Sequence, residues 1–152
     1  MSYITHLRAK IGHMRILLPG CIAIIRNPVG HILMQQRTHP YGKWGLPGGL
    51  MELEESPEET TRREVLEETG LTLGKLTLFG AYSGAQYLCV AQNGDEFQVV
   101  TMVYTTDEYT GTPAVMDDES LGFGWFAPDA LPDNIARTHT KILADYLKEL
   151  PQ

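Results

Sequence analysis

Between Ser56 and Gly70 the chain carries instructions for both ends of one helix. Ser56 stands where an N-cap hydroxyl belongs, Pro57 follows at the first helical position, and Glu59 sits three residues beyond Ser56 as the partner of a capping box. Glu58 and Glu59 suit the positive end of the helix dipole, and Gly70 suits a left-handed C-cap. The spacing predicts a helix over 57–69. Its last two turns, REVLEETG from 63 to 70, carry three glutamates and one arginine. At helical pitch Glu64 and Glu68 share a face and Glu67 lies beside them, within an arc of roughly 100°. Like charges so placed repel by about 0.2–0.5 kcal/mol per exposed pair. On the helix alone, a solvated acidic face and a site for a hard divalent cation both account for them.

The remaining chain supplies a domain around this helix. Its 152 residues, 43% hydrophobic, suit one domain over 1–152, with 1–17 as an N-terminal helical extension. In that extension Ile4, Leu7 and Ile11 have helical spacing and Gly12 marks a stop. Arg8, Lys10 and Arg15 interrupt any apolar core of a secretion signal, and no run approaches the roughly 18 apolar residues of a membrane span. A cytoplasmic protein without a membrane partner is the expectation. Cys21 and Cys89 lie in apolar strand-like segments without metal-ligand spacing and read as small buried residues. A formal charge of -7 argues against a basic surface for long nucleic acid, so any phosphate must be met locally.

CIAIIR and HILMQQR, separated by NPVG, read as a β-hairpin. A glycine-rich loop, PYGKWGLPGG, follows at 40–49. LTLGKLTLFGAYSG and QYLCVAQ read as strands, NGDE as a tight turn, FQVVTMVYTT and GFGWFAP as further strands. In THTKILADYLKEL, residues Ile142, Leu143, Tyr146, Leu147 and Leu150 mark one buried helical face. The expected class is α+β, a sheet sandwiched between helices.

The residues before the helix complete a longer pattern. From Gly49 five residues lead to Glu55, seven more lead to Arg63-Glu64, and Val65-Leu66-Glu67-Glu68-Thr69-Gly70-Leu71 follows without a gap. This reproduces the Nudix box, G-x5-E-x7-R-E-U-x-E-E-x-G-U with U aliphatic, and the chain resembles the MutT-like Nudix hydrolases. The LPGG loop at 46–49 and WFAPDALP at 125–132 extend the resemblance from about Leu18 onward. It implies a mixed β-sheet between α-helices and hydrolysis of a nucleoside diphosphate linked to another group, by metal-assisted attack of water on phosphorus. ADP-ribose, dinucleoside polyphosphates, sugar nucleotides and (deoxy)nucleoside triphosphates all remain open as the nucleotide-like substrate. The rival is a Nudix-like nucleotide sensor without turnover.

The same resemblance implies Mg²⁺ or Mn²⁺ held by Glu64, Glu67 and Glu68 and by the Gly48 carbonyl. Gly49, Glu55 and Arg63 take supporting parts, with an ordinary surface ion pair and a plain turn as the alternatives. The general base is Glu64 or a carboxylate beyond the box, for which Glu119 in MDDES is the choice; an acidic surface turn is its alternative. Arg37 and Lys43 can reach phosphate, while Trp44 and Tyr87 can stack on a base, each against an ordinary strand-end, loop or packing role. A homodimer is expected by family analogy alone.

Overall fold

The computed structural model describes residues 2–151. The chain begins with helix α1 (Tyr3–Ile11), capped by the Ser2 side chain and ended by Gly12. Ten strands follow, eight in two main sheets and two in a separate pair: β1 (Ile16–Ile25), β2 (Ile32–Arg37), β3 (Trp44–Gly45), β4 (Gly48–Leu50), β5 (Thr72–Leu73), β6 (Thr77–Tyr82), β7 (Leu88–Val90), β8 (Glu96–Thr106), β9 (Tyr109–Thr110) and β10 (Ser120–Phe126). Helix α2 (Pro57–Thr69) lies between β4 and β5, and α3 (Arg137–Glu149) ends the chain.

The first sheet runs β4-β1-β8-β6, with β7 pairing the start of β8 beside β6. The second runs β10-β2-β3, and β5 pairs β9 separately. β1 and β8 are parallel from Ile16–Phe97 through Ile25–Thr106, the longest pairing in the molecule. The architecture is therefore mixed α+β. The expected hairpin between β1 and β2 does not form. They meet only at the Arg26–Ile32 bridge and then part into different sheets. β8 takes one edge of β1 along its whole length and β4 the other at Gly20–Ile22, while β2 pairs with β10 and β3. The turn before β8 does make a hairpin, with Ala91 N–H donating to the Asp95 carbonyl between β7 and β8.

From Gly20 onward β1 is buried on both sides, and its alternation divides the core. Ile22 and Ile24 pack with Ile142, Leu143 and Tyr146 of α3. Ala23 and Ile25 pack with Val65 of α2 and with Leu71. Strand period two thus sends successive side chains to opposite helices, the sandwich the sequence suggests. Segment 85–90 begins with a short helical turn at Ala85–Tyr87, not strand, and only Leu88–Val90 joins the sheet. No helix among the described residues is long and apolar enough to cross a membrane.

α2 has the ends the sequence specifies. The Ser56 hydroxyl accepts from Glu59 N–H, the Glu59 carboxylate accepts from Ser56 N–H, and Gly70 adopts φ 81°. The Gly70 N–H closes on the Leu66 carbonyl. Ser56→Ala removes one half of this box, and an urea melt should show a loss of about 1 kcal/mol without loss of the fold.

Candidate active site

The loop between β4 and α2 brings Glu55 back against the helix it precedes. Arg63 grips it through two bonds, Nε to Oε2 at 2.6 Å and Nη2 to Oε1 at 2.9 Å. The same guanidinium reaches the Leu50 carbonyl at 3.1 Å, Glu64 at 2.9 Å and Glu67 at 3.4 Å. Glu55 also accepts from Glu52 N–H and the Thr60 hydroxyl. These donors, Arg63 foremost, hold its carboxyl down at about 2. Arg63 is pushed up in turn, chiefly by its bond to Glu55. The expected supporting pair is thus a clamp between loop and helix.

Two glycines let the loop lie close. Gly48 has φ 154°, and a Cβ there would stand 2.1 Å from the Cys21 carbonyl oxygen. At Gly49 a Cβ would stand 2.3 Å from the Glu64 carboxyl carbon. A backbone close enough to touch the carboxylates requires residues without side chains.

The three helix glutamates are not equivalent. Glu68 is buried, 3% exposed, and accepts from Gly48 N–H at 3.3 Å. Burial, then Glu64, raises its carboxyl to about 8, against the pull of Gly48 N–H. Glu64 is raised as well, first by burial, with Arg63 opposing. Glu67 turns outward, its side chain 56% exposed. Buried carboxylates with raised affinity for protons, beside a glycine backbone, form a hard-oxygen donor set that suits a divalent cation. No three carboxylate, imidazole or thiol side chains among the described residues close on a common point. The fit therefore lies in donor chemistry, with Glu64, Glu68 and the Gly48 backbone adjacent and Glu67 at the rim.

Arg37 and Glu119 face Glu68 across a cavity of about 430 Å³ that Gln35, Thr38, Gly48 and Asp118 also line. Thr38 fixes the far wall, its N–H and hydroxyl both donating to the Glu119 carbonyl. Burial raises the Glu119 carboxyl first, and Asp117 and Asp118 add to it. Arg37 lies against the backbone at Gly45, where a Cβ would meet its Nε at 2.8 Å. Burial lowers its proton affinity while Glu68 and Glu119 oppose the change.

The structure does not bring the other expected contacts into this cavity. Tyr87 is 2% exposed and sits in the core with Ile142 and Leu143, so its ring has no free face for stacking on a base. Trp44 packs edge-on against Phe126 at 5.0 Å, on the same core. Lys43 is outside the cavity lining and meets its neighbours through backbone, its carbonyl accepting from Arg37 N–H. A residue that the sequence reading passed over is His139. It is buried at the start of α3, its Nδ1 accepts from Leu46 N–H at 2.9 Å, and its Nε2 lies 3.5 Å from Arg37 Nη2. Burial, and then Arg37, keep it neutral. Its spacing from Ile142, Leu143 and Tyr146 places it on the buried face of α3, a signal available in the sequence.

A capped acidic helix clamped to a glycine-rich loop, set in a mixed sheet between helices, defines the NUDIX domain family. Residues 17–146 match that family, and the chain belongs to it. The crystal structure of a MutT NUDIX hydrolase from Burkholderia pseudomallei is 33% identical, with a TM-score of 0.73 over 89% of this chain and 98% of that one. An ADP-ribose pyrophosphatase of Methanocaldococcus jannaschii is 31% identical over 118 residues, which are 77% of this chain. The 8-oxo-dGDP phosphatase NUDT18 of Danio rerio is 36% identical over 109 residues, 68% of this chain. The chain spans 65% of the first of these two relatives and 30% of the second.

Glu68 gives the metal-free protein a pH signature. Its folded proton affinity lies above the ordinary carboxylate value of 4.5, so the stability it contributes is full below pH 4.5 and drains away as pH rises through about 8. With chelator present, thermal melts should fall in Tm across that window, and Glu68→Gln should flatten the fall.

Proposed function

We propose that this chain is a Mg²⁺- or Mn²⁺-dependent pyrophosphohydrolase that cleaves the diphosphate linkage of a nucleotide-like substrate. The observation that carries the reading is the buried Glu68 carboxylate, opposed by Arg37 and Glu119 across one cavity and touching the Gly48 backbone. Glu64, Glu68 and the Gly48 carbonyl would hold the cation, with Glu67 reaching in from the rim. When bound, the cation neutralises diphosphate oxygens and makes attacking water more acidic. It also reconciles an acidic site with an anionic substrate.

The side chains divide the remaining work. Arg37, flat against the Gly45 backbone, offers its guanidinium to a phosphoryl oxygen. Arg63 keeps Glu64 oriented and Glu55 braces the loop. Glu119 is the chosen general base: its wall faces Glu68, and burial with two neighbouring aspartates raises its appetite for a proton. Glu64 is the alternative base, with the Arg63 bond holding it less available. The relatives act, by their names, on ADP-ribose and on 8-oxo-dGDP, which supports a nucleotide substrate; both classes belong in the first panel.

Turnover is measured with ADP-ribose, dinucleoside polyphosphates, sugar nucleotides and natural and oxidised nucleotides, with Mg²⁺, Mn²⁺ or EDTA. Metal-dependent cleavage of one class is expected, and no cleavage under any condition would sink the reading. Glu68→Gln retains an oxygen for the Gly48 N–H but not the charge, so kcat should fall on the order of 100-fold or more with the fold intact. Full activity in that variant would remove Glu68 from the site.

A further inference from the structure

Apart from the cavity that the hydrolase reading uses, one lies beneath α1. A single face of the first sheet carries, in register, Ile22 beside Val103 and Gly48, then Gly20 beside Thr101 and Leu50, then Leu18 beside Val99. α3 covers the Ile22 end. α1 covers the other, where Ile4 and Arg8 stand with Leu18, Leu50 and Phe97 around a cavity of about 430 Å³. Between the two helices is a pocket of about 170 Å³ over Gly20. It shares Leu50 and Phe97 with the α1 cavity, and Arg37 and Gly48 with the cavity of Glu68 and Glu119. The three adjoin along this face through those shared residues. Gly20 keeps the floor low, since a Cβ there would press on Val99 Cγ2 and the Gly49 carbonyl at 3.3 Å each. From Ile22 to Leu18 the strand advances about 13 Å, a reach on the scale of one nucleoside.

We propose that the cavity beneath α1 is a second subsite on this face and takes a nucleobase bearing an exocyclic amino group. The inference rests on the reading of the site as one for nucleotides. Ile4, Leu18, Leu50 and Phe97 present apolar and aromatic surface to ring faces, as small-molecule sites commonly do. At the rim the Asp95 carboxylate is fixed by Asn93 Nδ2 at 3.1 Å, by Arg8 at 3.4 Å and by His13, and an amino group is the donor it would accept. α1 lies outside residues 17–146, so this wall is added to the family domain and is a means of setting which end group the site admits.

Adenosine is titrated calorimetrically into the 152-residue chain in EDTA, so the readout needs neither metal nor turnover. Wild type binds it, and Ile4→Trp, which fills the cavity, weakens binding at least tenfold. Thr5→Trp lies at an exposed helix position, fills the same space from outside the core, and reports in place of Ile4→Trp where that variant does not fold. Absence of wild-type binding, or unchanged affinity in the folded tryptophan variant, overturns the subsite. Failure of the hydrolase reading shows separately, as absence of diphosphate cleavage by a protein that still binds adenosine.

Discussion

One guanidinium organises the acidic end of this molecule. Arg63 bonds to Glu55, Glu64, Glu67 and the Leu50 carbonyl at once, so a strand end, a loop and a helix share a single cation. Without it the carboxylates would repel one another and the loop would have no charged anchor. With it, Glu55 is satisfied, and the repulsion that remains falls on Glu64 and Glu68, deeper in the fold. The clamp thus separates Glu55, which serves structure, from Glu68, which Arg63 does not reach. Charged hydrogen bonds of this kind are worth about 1.5–3 kcal/mol each, enough to hold an otherwise irregular loop.

The second constraint is the crowding around β1. β8 takes one edge along its length, β4 takes the other at Gly20–Ile22, and from Gly20 onward both faces are covered, by α2 and α3. Gly48 can pair opposite Ile22 only because it lacks a side chain, and that pairing sets the loop at the foot of α2. Position along the sheet therefore fixes the distance between the glycine backbone and Glu68. The site inherits its geometry from the most buried strand of the chain.

Local signals in the sequence were the most legible. The α2 boundaries, the capping box and the Gly70 cap depend on residues within a turn of one another, and each forms as its spacing implies. Non-local choices were not legible in that way. The NPVG turn reads as a hairpin because sequence does not disclose that β8, seventy residues later, claims the edge of β1. Tyr87 reads as a ring for stacking or for packing, and a short helical turn that carries it into the core decides for packing. His139 escaped notice because a lone histidine in an apolar stripe has no local partner; its bond to Leu46 crosses from α3 to the loop before β4. The carboxylates of the box were legible as a group, but their division into buried Glu68 and exposed Glu67 required the fold.

α1 is fastened differently from everything else. None of its residues is buried, and its ties are polar: Arg8 to Asp95 and to the Glu96 carbonyl, Tyr3 N–H to Glu52. Segments held this way open at a lower free energy than the whole fold does, and their amides exchange with solvent first. Salt screens such ties while leaving the apolar core between the sheet, α2 and α3 untouched. α1 can therefore open on its own while the sheet held between α2 and α3 stays closed.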